Sequence, residues 1–230
     1  FGLSAALILA IGFESGVGRD RVQGWGHQQA RILDYAEGPD STVAVIEGAG
    51  ARILVIDGFS ASGNYAAGSA HYMEWMGRLP MLLHPDPKDA LVICLGTGQT
   101  VKGVRREGAA RIDVVDVSDA VVRMAPLFVV NEGVMDDPRV RTIVMDGRAW
   151  MRRTERRYDV VTLEPMPPGF AGVNALYSRE FYQRVAEQMA PGGIAARLTS
   201  LRSPESSCAS IACSTNFVVW CGSPSGRGGS

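Results

Sequence analysis

The sequence predicts an α/β fold in which a small β-hairpin subdomain precedes a mostly parallel, doubly wound sheet. After residue 85, apolar runs of strand length alternate with helical stretches, which is the pattern of parallel strands joined by crossover helices. Before that point, two runs rich in β-branched residues are separated by glycines, as in a hairpin. These two patterns together determine the predicted fold class.

The N-terminal part of the chain contains an apolar segment and then the hairpin. Residues 1–13 are almost wholly apolar, but a helix needs about 20 residues to span a bilayer. Three interpretations of this segment stay open: the end of a membrane helix, a signal-peptide remnant or a short buried element. The hairpin covers residues 41–58, and a helix is predicted over residues 64–83, before the breaker His84-Pro85-Asp86-Pro87.

The sheet is predicted to contain five strands. They are Ala90–Leu95, Arg111–Val117, Val140–Met145, Tyr158–Glu164 and the run "IAARL" at residues 194–198. Ser118 is expected to cap a helix that Pro126 breaks or kinks. The clearest helix is predicted from Ser178 to Ala190, because Phe181, Val185 and Met189 share one face.

Four regions follow from this pattern. Residues 1–40 are predicted to be an apolar segment and linker, 41–84 the hairpin subdomain, 85–202 the α/β domain and 203–230 a poorly structured tail. The tail is rich in Ser, Gly and Cys, and "NFVVW" at residues 216–220 is its candidate strand.

Charge and composition exclude some classes of function. The formal net charge is −1, so the chain lacks the excess of Lys and Arg with which proteins bind nucleic-acid phosphates. No nucleic-acid partner is therefore expected. The basic run at residues 152–157 is predicted to be a solvated helix end. The three histidines are scattered, so we expect no metal site.

Glycines follow the first strand of the predicted sheet. In open parallel sheets, ligands bind beyond the carboxyl ends of the strands. Gly96 and Gly98 form a G-x-G turn there, and glycine lets the backbone approach a ligand closely. Position 101 is Val rather than the third glycine of a dinucleotide fingerprint, so a ligand without a pyrophosphate fits better than NAD or ATP. A tight strand-to-helix turn is the other interpretation.

Acidic residues end the next three strands. Asp116 is placed to accept hydrogen bonds from the two hydroxyls of a ribose, or it is a surface Asp before a helix. Asp146 precedes Gly147 and is a candidate adenine contact or a helix N-cap. Glu164 precedes a proline-rich loop and is a candidate general base or cation anchor, or a solvated acid.

Short motifs in order along the chain resemble the spermidine synthase, or polyamine aminopropyltransferase, family. They are "VIDG" at 55–58, the Y-x-E-x-x-x-x-L-P-x-L-x-H-P run at 72–85, "DDPRV" at 136–140, "DGR" at 146–148, "ALYSREFY" at 175–182 and "PGG" at 191–193. The continuation of Glu164-Pro165 into "AGVNALY" is most similar to a divergent bacterial branch that is often joined to membrane segments.

The resemblance implies a Rossmann-like methyltransferase fold for residues 85–202, acting as a nucleoside-binding catalytic domain. It implies transfer of an aminopropyl group from decarboxylated S-adenosylmethionine to an amine such as putrescine. Asp116 then takes the ribose position, Asp146 and Gly147 take the adenine side, and Glu164 replaces the aspartate that deprotonates the amine. Gly96 and Gly98 complete the cofactor site.

The acceptor side of the resemblance is less complete. Tyr72, Glu74 and Tyr177 are the candidate substrate contacts, while Pro167 replaces a second aspartate of the family. An S-adenosylmethionine-dependent methyltransferase and a catalytically silent nucleoside-binding domain therefore stay open as alternatives. The resemblance also implies a homodimer, and the apolar segment implies a membrane tether upstream of residue 1, on the cytoplasmic face of a bacterial membrane.

Overall fold

A computed structural model divides the chain into two units, residues 1–66 and residues 67–230. It describes residues 31–48, 50–64, 71–198, 211–212 and 217–221. The apolar segment at residues 1–13 and most of the C-terminal tail lie outside these ranges. Among the described helices, none is long and apolar enough to cross a bilayer.

The first unit contains a four-stranded antiparallel sheet whose strands pair in chain order. The strands are β1 (Arg31–Glu37), β2 (Thr42–Gly48), β3 (Ala51–Ile56) and β4 (Phe59–Asn64). The predicted hairpin is β2–β3, and its two neighbours extend it on both sides. Asp57 and Gly58, both at positive φ, turn the chain from β3 into β4, as a two-residue hairpin loop requires.

The boundaries of the predicted subdomain need correction. Strand β1 belongs to the sheet, whereas the sequence pattern assigns residues 1–40 to an apolar segment and linker. The division between the units falls after Ala66, so the helix before residue 84 belongs to the second unit and not to the hairpin subdomain.

The second unit contains a seven-stranded sheet with the order β10-β11-β9-β8-β5-β6-β7. Five of its strands are parallel, as predicted: β5 (Asp89–Ile93), β6 (Arg111–Asp116), β7 (Val140–Val144), β8 (Tyr158–Leu163) and β9 (Met189–Leu198). Strands β10 (Ile211–Ala212) and β11 (Phe217–Cys221) continue the sheet in antiparallel pairing. The tail predicted to be poorly structured therefore contributes two strands.

Five helices connect or flank these strands. They are α1 (His71–Leu83), α2 (Gln99–Arg106), α3 (Asp119–Met124), α4 (Gly147–Arg153) and α5 (Arg179–Glu187). Ser118 caps α3 by accepting from the Val121 backbone N–H, and the helix gives way to a 3-10 turn that contains Pro126, as predicted. Helix α5 ends earlier than predicted, because Met189 already pairs with Tyr158 in the sheet.

One hydrophobic cluster of the second unit lies between the sheet and helices α4 and α5, and buried residues of α1 and α2 cover the other face. In that cluster, buried apolar residues from the central strands pack against Met151, Phe181 and Val185. Ala90 to Ile93 are each at most 1% exposed, which confirms that the apolar run is a strand covered on both faces.

A buried carboxylate, Asp113, lies within this sheet at 2% exposure. Its two oxygens accept from Arg141 Nε and Nη2 at 2.9 Å each, and Tyr158 donates its hydroxyl at 2.8 Å. Burial raises the pKa of Tyr158 to about 12, so the hydroxyl stays a donor at all physiological pH values. The sequence pattern did not single out this pair.

We expect Asp113→Asn to destabilise the fold by about 2 kcal/mol, because one partner of a buried pair is lost while Arg141 keeps some access to water. Asp119→Asn is the matched control, since its pair with Arg123 is exposed and worth at most about 0.5 kcal/mol. Urea unfolding of both variants measures the difference. Equal midpoints for the two variants would contradict the prediction.

Candidate active site

The site lies where the order of the parallel strands reverses, between β5 and β8. Ligands of open α/β sheets bind at this point, beyond the carboxyl ends of the strands. The predicted cofactor and base residues lie at strand ends on this edge: Gly96 and Gly98 after β5, Asp116 at the end of β6, Asp146 and Gly147 after β7, and Glu164 after β8.

The glycine loop after β5 turns through three left-handed positions. Cys94 has φ 73°, Gly96 φ 53° and Gly98 φ 83°. A Cβ atom on Gly98 would lie 3.1 Å from Asn131 Cβ, so both conformation and packing require glycine there. Asn131 holds the loop by donating its amide to the Thr97 carbonyl at 3.0 Å. No sequence pattern pointed to Asn131, which lies in a 3-10 turn 34 residues away from Thr97.

Asp116 connects the end of β6 to the glycine loop. Its carboxylate accepts from the Leu95 backbone N–H at 2.8 Å and from the Ser118 N–H at 2.9 Å. Burial raises its pKa, and these backbone donors oppose the rise. A carboxylate has about four lone-pair sites, so the Asp116 side chain keeps acceptor capacity for a ribose hydroxyl beside its backbone donors.

Asp146 acts as the N-cap of α4, which was one of its two predicted roles. It accepts from the backbone N–H groups of Arg148 and Ala149 at 2.8 and 3.1 Å. The Arg148 guanidinium also binds it and lowers its pKa. A Cβ atom on Gly147 would lie 2.7 Å from Ile93 Cγ2, so this glycine lets α4 start directly against β5. The adenine roles of both residues stay predictions.

Glu164 is the most perturbed of the three strand-end acids. Burial raises its pKa to about 7, and a hydrogen bond from the Tyr72 hydroxyl partly opposes this rise. The structure thus brings two of the predicted residues together. The Cys94 thiol has its pKa raised by burial and by the charges of Asp116, Glu164 and Asp146, so these acids surround one point.

Tyr177 holds the loop that follows Glu164. Its hydroxyl donates to the carbonyls of Pro165 and Met166, at 3.3 and 3.0 Å. The Arg197 guanidinium lies 5.6 Å from the centre of the Tyr177 ring and donates to the Tyr182 hydroxyl at 2.9 Å. Neither Arg197 nor Tyr182 was predicted, since a contact between a strand end and a helix leaves no local pattern.

Glu74, a predicted substrate contact, is engaged in ion pairs with the neighbouring helix. It is 8% exposed, and its carboxylate accepts from Lys102 at 2.7 Å and Arg106 at 2.6 Å. These cations lower its pKa, against the effect of burial. The charge of Glu74 therefore joins α1 to α2, and its role as a substrate contact stays a prediction.

Within the described ranges, no group of three or more His, Cys, Asp or Glu side chains could hold a metal ion. The use of no metal by the protein stays a prediction. The candidate nucleoside and base residues, in contrast, lie on one edge of the sheet.

Comparison with known proteins identifies a family over most of the second unit. The family model of the spermine/spermidine synthase domain matches residues 69–208. Polyamine aminopropyltransferase 2 of Pseudomonas aeruginosa is 34% identical over 149 residues, which cover 63% of this chain and 42% of that protein. Polyamine aminopropyltransferase of Thermotoga neapolitana is 24% identical over 171 residues, which cover 74% of this chain and 54% of that protein.

Solved structures share the fold. A spermidine synthase in complex with the transition state analogue AdoDATO superposes with a TM-score of 0.68 at 22% identity, covering 74% of this chain and 58% of that one. The spermidine synthase of Thermotoga maritima gives a TM-score of 0.65 at 22% identity, covering 74% of this chain and 57% of that one. The chain thus spans between 42% and 58% of the length of these proteins. Because the domain match covers more than half of its residues, the chain belongs to the spermine/spermidine synthase family.

Proposed function

We propose that this chain transfers an aminopropyl group from decarboxylated S-adenosylmethionine to an amine acceptor such as putrescine. The observation that supports it most is Glu164, a carboxylate at the switch point of the sheet whose pKa is raised to about 7. A base with a pKa near the working pH combines a large ionised fraction with useful proton affinity. The names of the relatives point to the same reaction.

The chemistry needs one base and a leaving group that is already activated. Glu164 takes a proton from the acceptor ammonium, which frees the lone pair of the amine nitrogen. That nitrogen forms a C–N bond to the aminopropyl methylene while the C–S bond breaks. The bonding electrons neutralise the sulfonium, and methylthioadenosine leaves. The product amine carries the positive charge that the sulfonium loses, and the protonated Glu164 then releases its proton to solvent.

The nucleoside half of the site is assigned to the other strand ends. Gly96 and Gly98 leave room for the backbone to approach the ligand, and Asp116 accepts from the ribose. Asp146 and Gly147 lie on the adenine side. The loop offers no Lys or Arg to a phosphate, in keeping with a co-substrate that has none.

A methyltransferase that uses S-adenosylmethionine is the second candidate. With Asp116 and Asp146 assigned to the nucleoside, Glu164 is the one acid around Cys94 that is left for the acceptor. Glu74 is neutralised by Lys102 and Arg106, and Pro167 offers no charge. A diamine carries two positive charges, so this shortage of acids favours a different acceptor.

Calorimetric titration separates the candidates. The chain is titrated with methylthioadenosine, S-adenosylmethionine and its decarboxylated form, with and without putrescine. We expect the decarboxylated form to bind more tightly than S-adenosylmethionine. We also expect putrescine to strengthen the binding of the decarboxylated form. A preference for S-adenosylmethionine without a putrescine effect would favour methyl transfer. Binding without turnover of any acceptor would favour the silent domain, and no binding would refute all three.

Tyr177 is expected to act through the loop after Glu164. Tyr177→Phe removes the hydrogen bonds to Pro165 and Met166 but keeps the ring against Arg197. We expect kcat to fall roughly fivefold and the apparent pKa of Glu164 to move, because the loss of hydrogen bonds that position the loop costs about 1 kcal/mol. Tyr182→Phe is the matched control, since it loses only its contact with Arg197. An unchanged pH profile in Tyr177→Phe would contradict this role.

Location and assembly are further parts of the proposal. A tether upstream of residue 1 would place the enzyme on the cytoplasmic face of a bacterial membrane, and the family resemblance implies a homodimer. Fractionation of cells and light scattering of the purified chain test the two ideas separately.

A further inference from the structure

A second concave site lies at the opposite edge of the large sheet, where the parallel strands begin. It has a volume of about 270 Å³ and is lined by Asp89, Arg111, Arg156 and Arg157. Asp89 and Arg111 start the neighbouring strands β5 and β6, and the two other arginines directly precede β8. The active-site residues all follow the ends of these strands, so the two sites are separated by the length of the sheet.

The lining of this cavity has more positive charge than negative. Three guanidinium groups face a single carboxylate, Asp89. That carboxylate is already engaged by Arg111, which donates through Nε and, at 2.7 Å, through Nη2. Asp89 is therefore committed to one arginine, and the other two need different partners.

Neither of these two arginines has a carboxylate of its own among the described residues. Arg156 reaches Asp113 only at 3.4 Å, and the same Asp113 oxygens already bind Arg141 at 2.9 Å. Arg157 donates one of its nitrogens to the carbonyls of Glu187 and Met189, at 2.7 and 3.2 Å. Both guanidinium groups keep unused donors, because each has five N–H bonds.

Asp159, which lies in β8 two residues after Arg157, is engaged by backbone donors. Its carboxylate oxygen Oδ2 accepts from the backbone N–H groups of Lys88 and Asp89, at 2.8 and 2.9 Å. Asp89, Asp113 and Asp159 are thus engaged, while planar cationic donors remain around a space slightly smaller than a typical drug-sized pocket. Phosphate oxygens match the fork of a guanidinium in geometry and charge.

We propose that this cavity binds a small phosphate-bearing anion, with Arg111, Arg156 and Arg157 as its donors. The ligand is either a free phosphate ion or the phosphoryl group of a small metabolite. The site does not depend on the proposed reaction, because none of its residues lies at the active edge.

The test is calorimetric titration of the full chain at constant ionic strength. Orthophosphate, pyrophosphate and glucose 6-phosphate are the probes, and we expect saturable binding of at least one at a single site. Arg156→Gln and Arg111→Gln should each weaken that binding roughly tenfold, the effect of one charged hydrogen bond. Arg123→Gln, which removes an exposed arginine on α3, should leave it unchanged. Tighter binding of the sugar phosphate would identify a metabolite, and tighter binding of the inorganic ions a free phosphate.

Methylthioadenosine binding and the melting temperature are measured on every variant, and both should stay close to the parent values. No saturable binding of any probe would overturn the proposal. So would an equal loss in Arg123→Gln, which indicates general charge attraction. Tighter binding of duplex DNA than of every phosphate probe, sensitive to Arg156→Gln, would identify a nucleic-acid surface and also overturn it.

Discussion

A Glu164→Gln variant should lose aminopropyl transfer by roughly 10²- to 10⁴-fold, the usual contribution of a general base. The amide keeps the size of the side chain and a carbonyl acceptor for Tyr72, but it takes no proton. Methylthioadenosine affinity should stay within about twofold of the parent, because the nucleoside is assigned to Asp116, Asp146 and the glycine loop. The measurements are steady-state turnover with decarboxylated S-adenosylmethionine and calorimetry with methylthioadenosine.

The pH profile identifies the group that titrates. Because burial raises the pKa of Glu164 to about 7, kcat/KM of the parent should increase with pH and level off above that value. Glu164→Asp keeps the charge on a shorter side chain, so it should retain part of the activity and an ascending limb. If Glu164→Gln keeps the same ascending limb and turnover, another group is the base.

Stability gives an independent check on the same carboxyl group. Between 4.5, the ordinary pKa of a glutamate side chain, and the folded value of about 7, the folded state binds more protons than the unfolded state. Stability therefore decreases as pH rises through this window, and the penalty is complete above it. Glu164→Gln removes the penalty, so it should be more stable than the parent at pH 8, by about 1–3 kcal/mol. A variant that is inactive because it is misfolded would be less stable instead.

The sequence predicted the parallel sheet well because its strands are apolar runs that need burial on both faces. Strands β1 and β4 were missed because neither is a continuous run of apolar residues. β4 reads "FSASGN", with small and polar residues, and its order comes from pairing with β3 over five residue pairs. The helix boundary at α5 was placed too late, because Met189 fits both the helical face and the register of β9.

The candidate site was predictable to the extent that chain direction determines it. Strand ends are read directly from the sequence, so the positions of Asp116, Asp146 and Glu164 on one edge follow from the parallel sheet. Contacts between distant elements are not read in this way. Glu74 was predicted to hold substrate, but Lys102 and Arg106 neutralise it from the next helix, 28 and 32 positions later.

Gly77→Ala is expected to destabilise the second unit by about 3 kcal/mol or more, although alanine normally favours a helix over glycine by about 1 kcal/mol. Helices α1 and α2 cross at Gly77 and Gly103. A Cβ atom on Gly77 would lie 2.1 Å from the Thr100 carbonyl oxygen and 2.7 Å from the Val104 nitrogen. On Gly103, it would lie 2.2 Å from the Glu74 carbonyl oxygen.

These obstructing atoms belong to the backbone, so no rotamer change relieves the clash and the helices must separate. Separation also strains the Thr100 hydroxyl bond to the Met73 carbonyl, at 3.0 Å, and the Lys102–Glu74 pair. We expect the melting temperature to fall by about 10 °C in Gly77→Ala and in Gly103→Ala. Gly169→Ala is the control, since nothing lies within 4 Å of its Cβ position. A melting temperature within about 2 °C of the parent in both variants would mean that the helices do not touch through their backbones. Separation of the helices should also disturb the active site, because α1 carries Tyr72, the hydrogen-bond donor to Glu164.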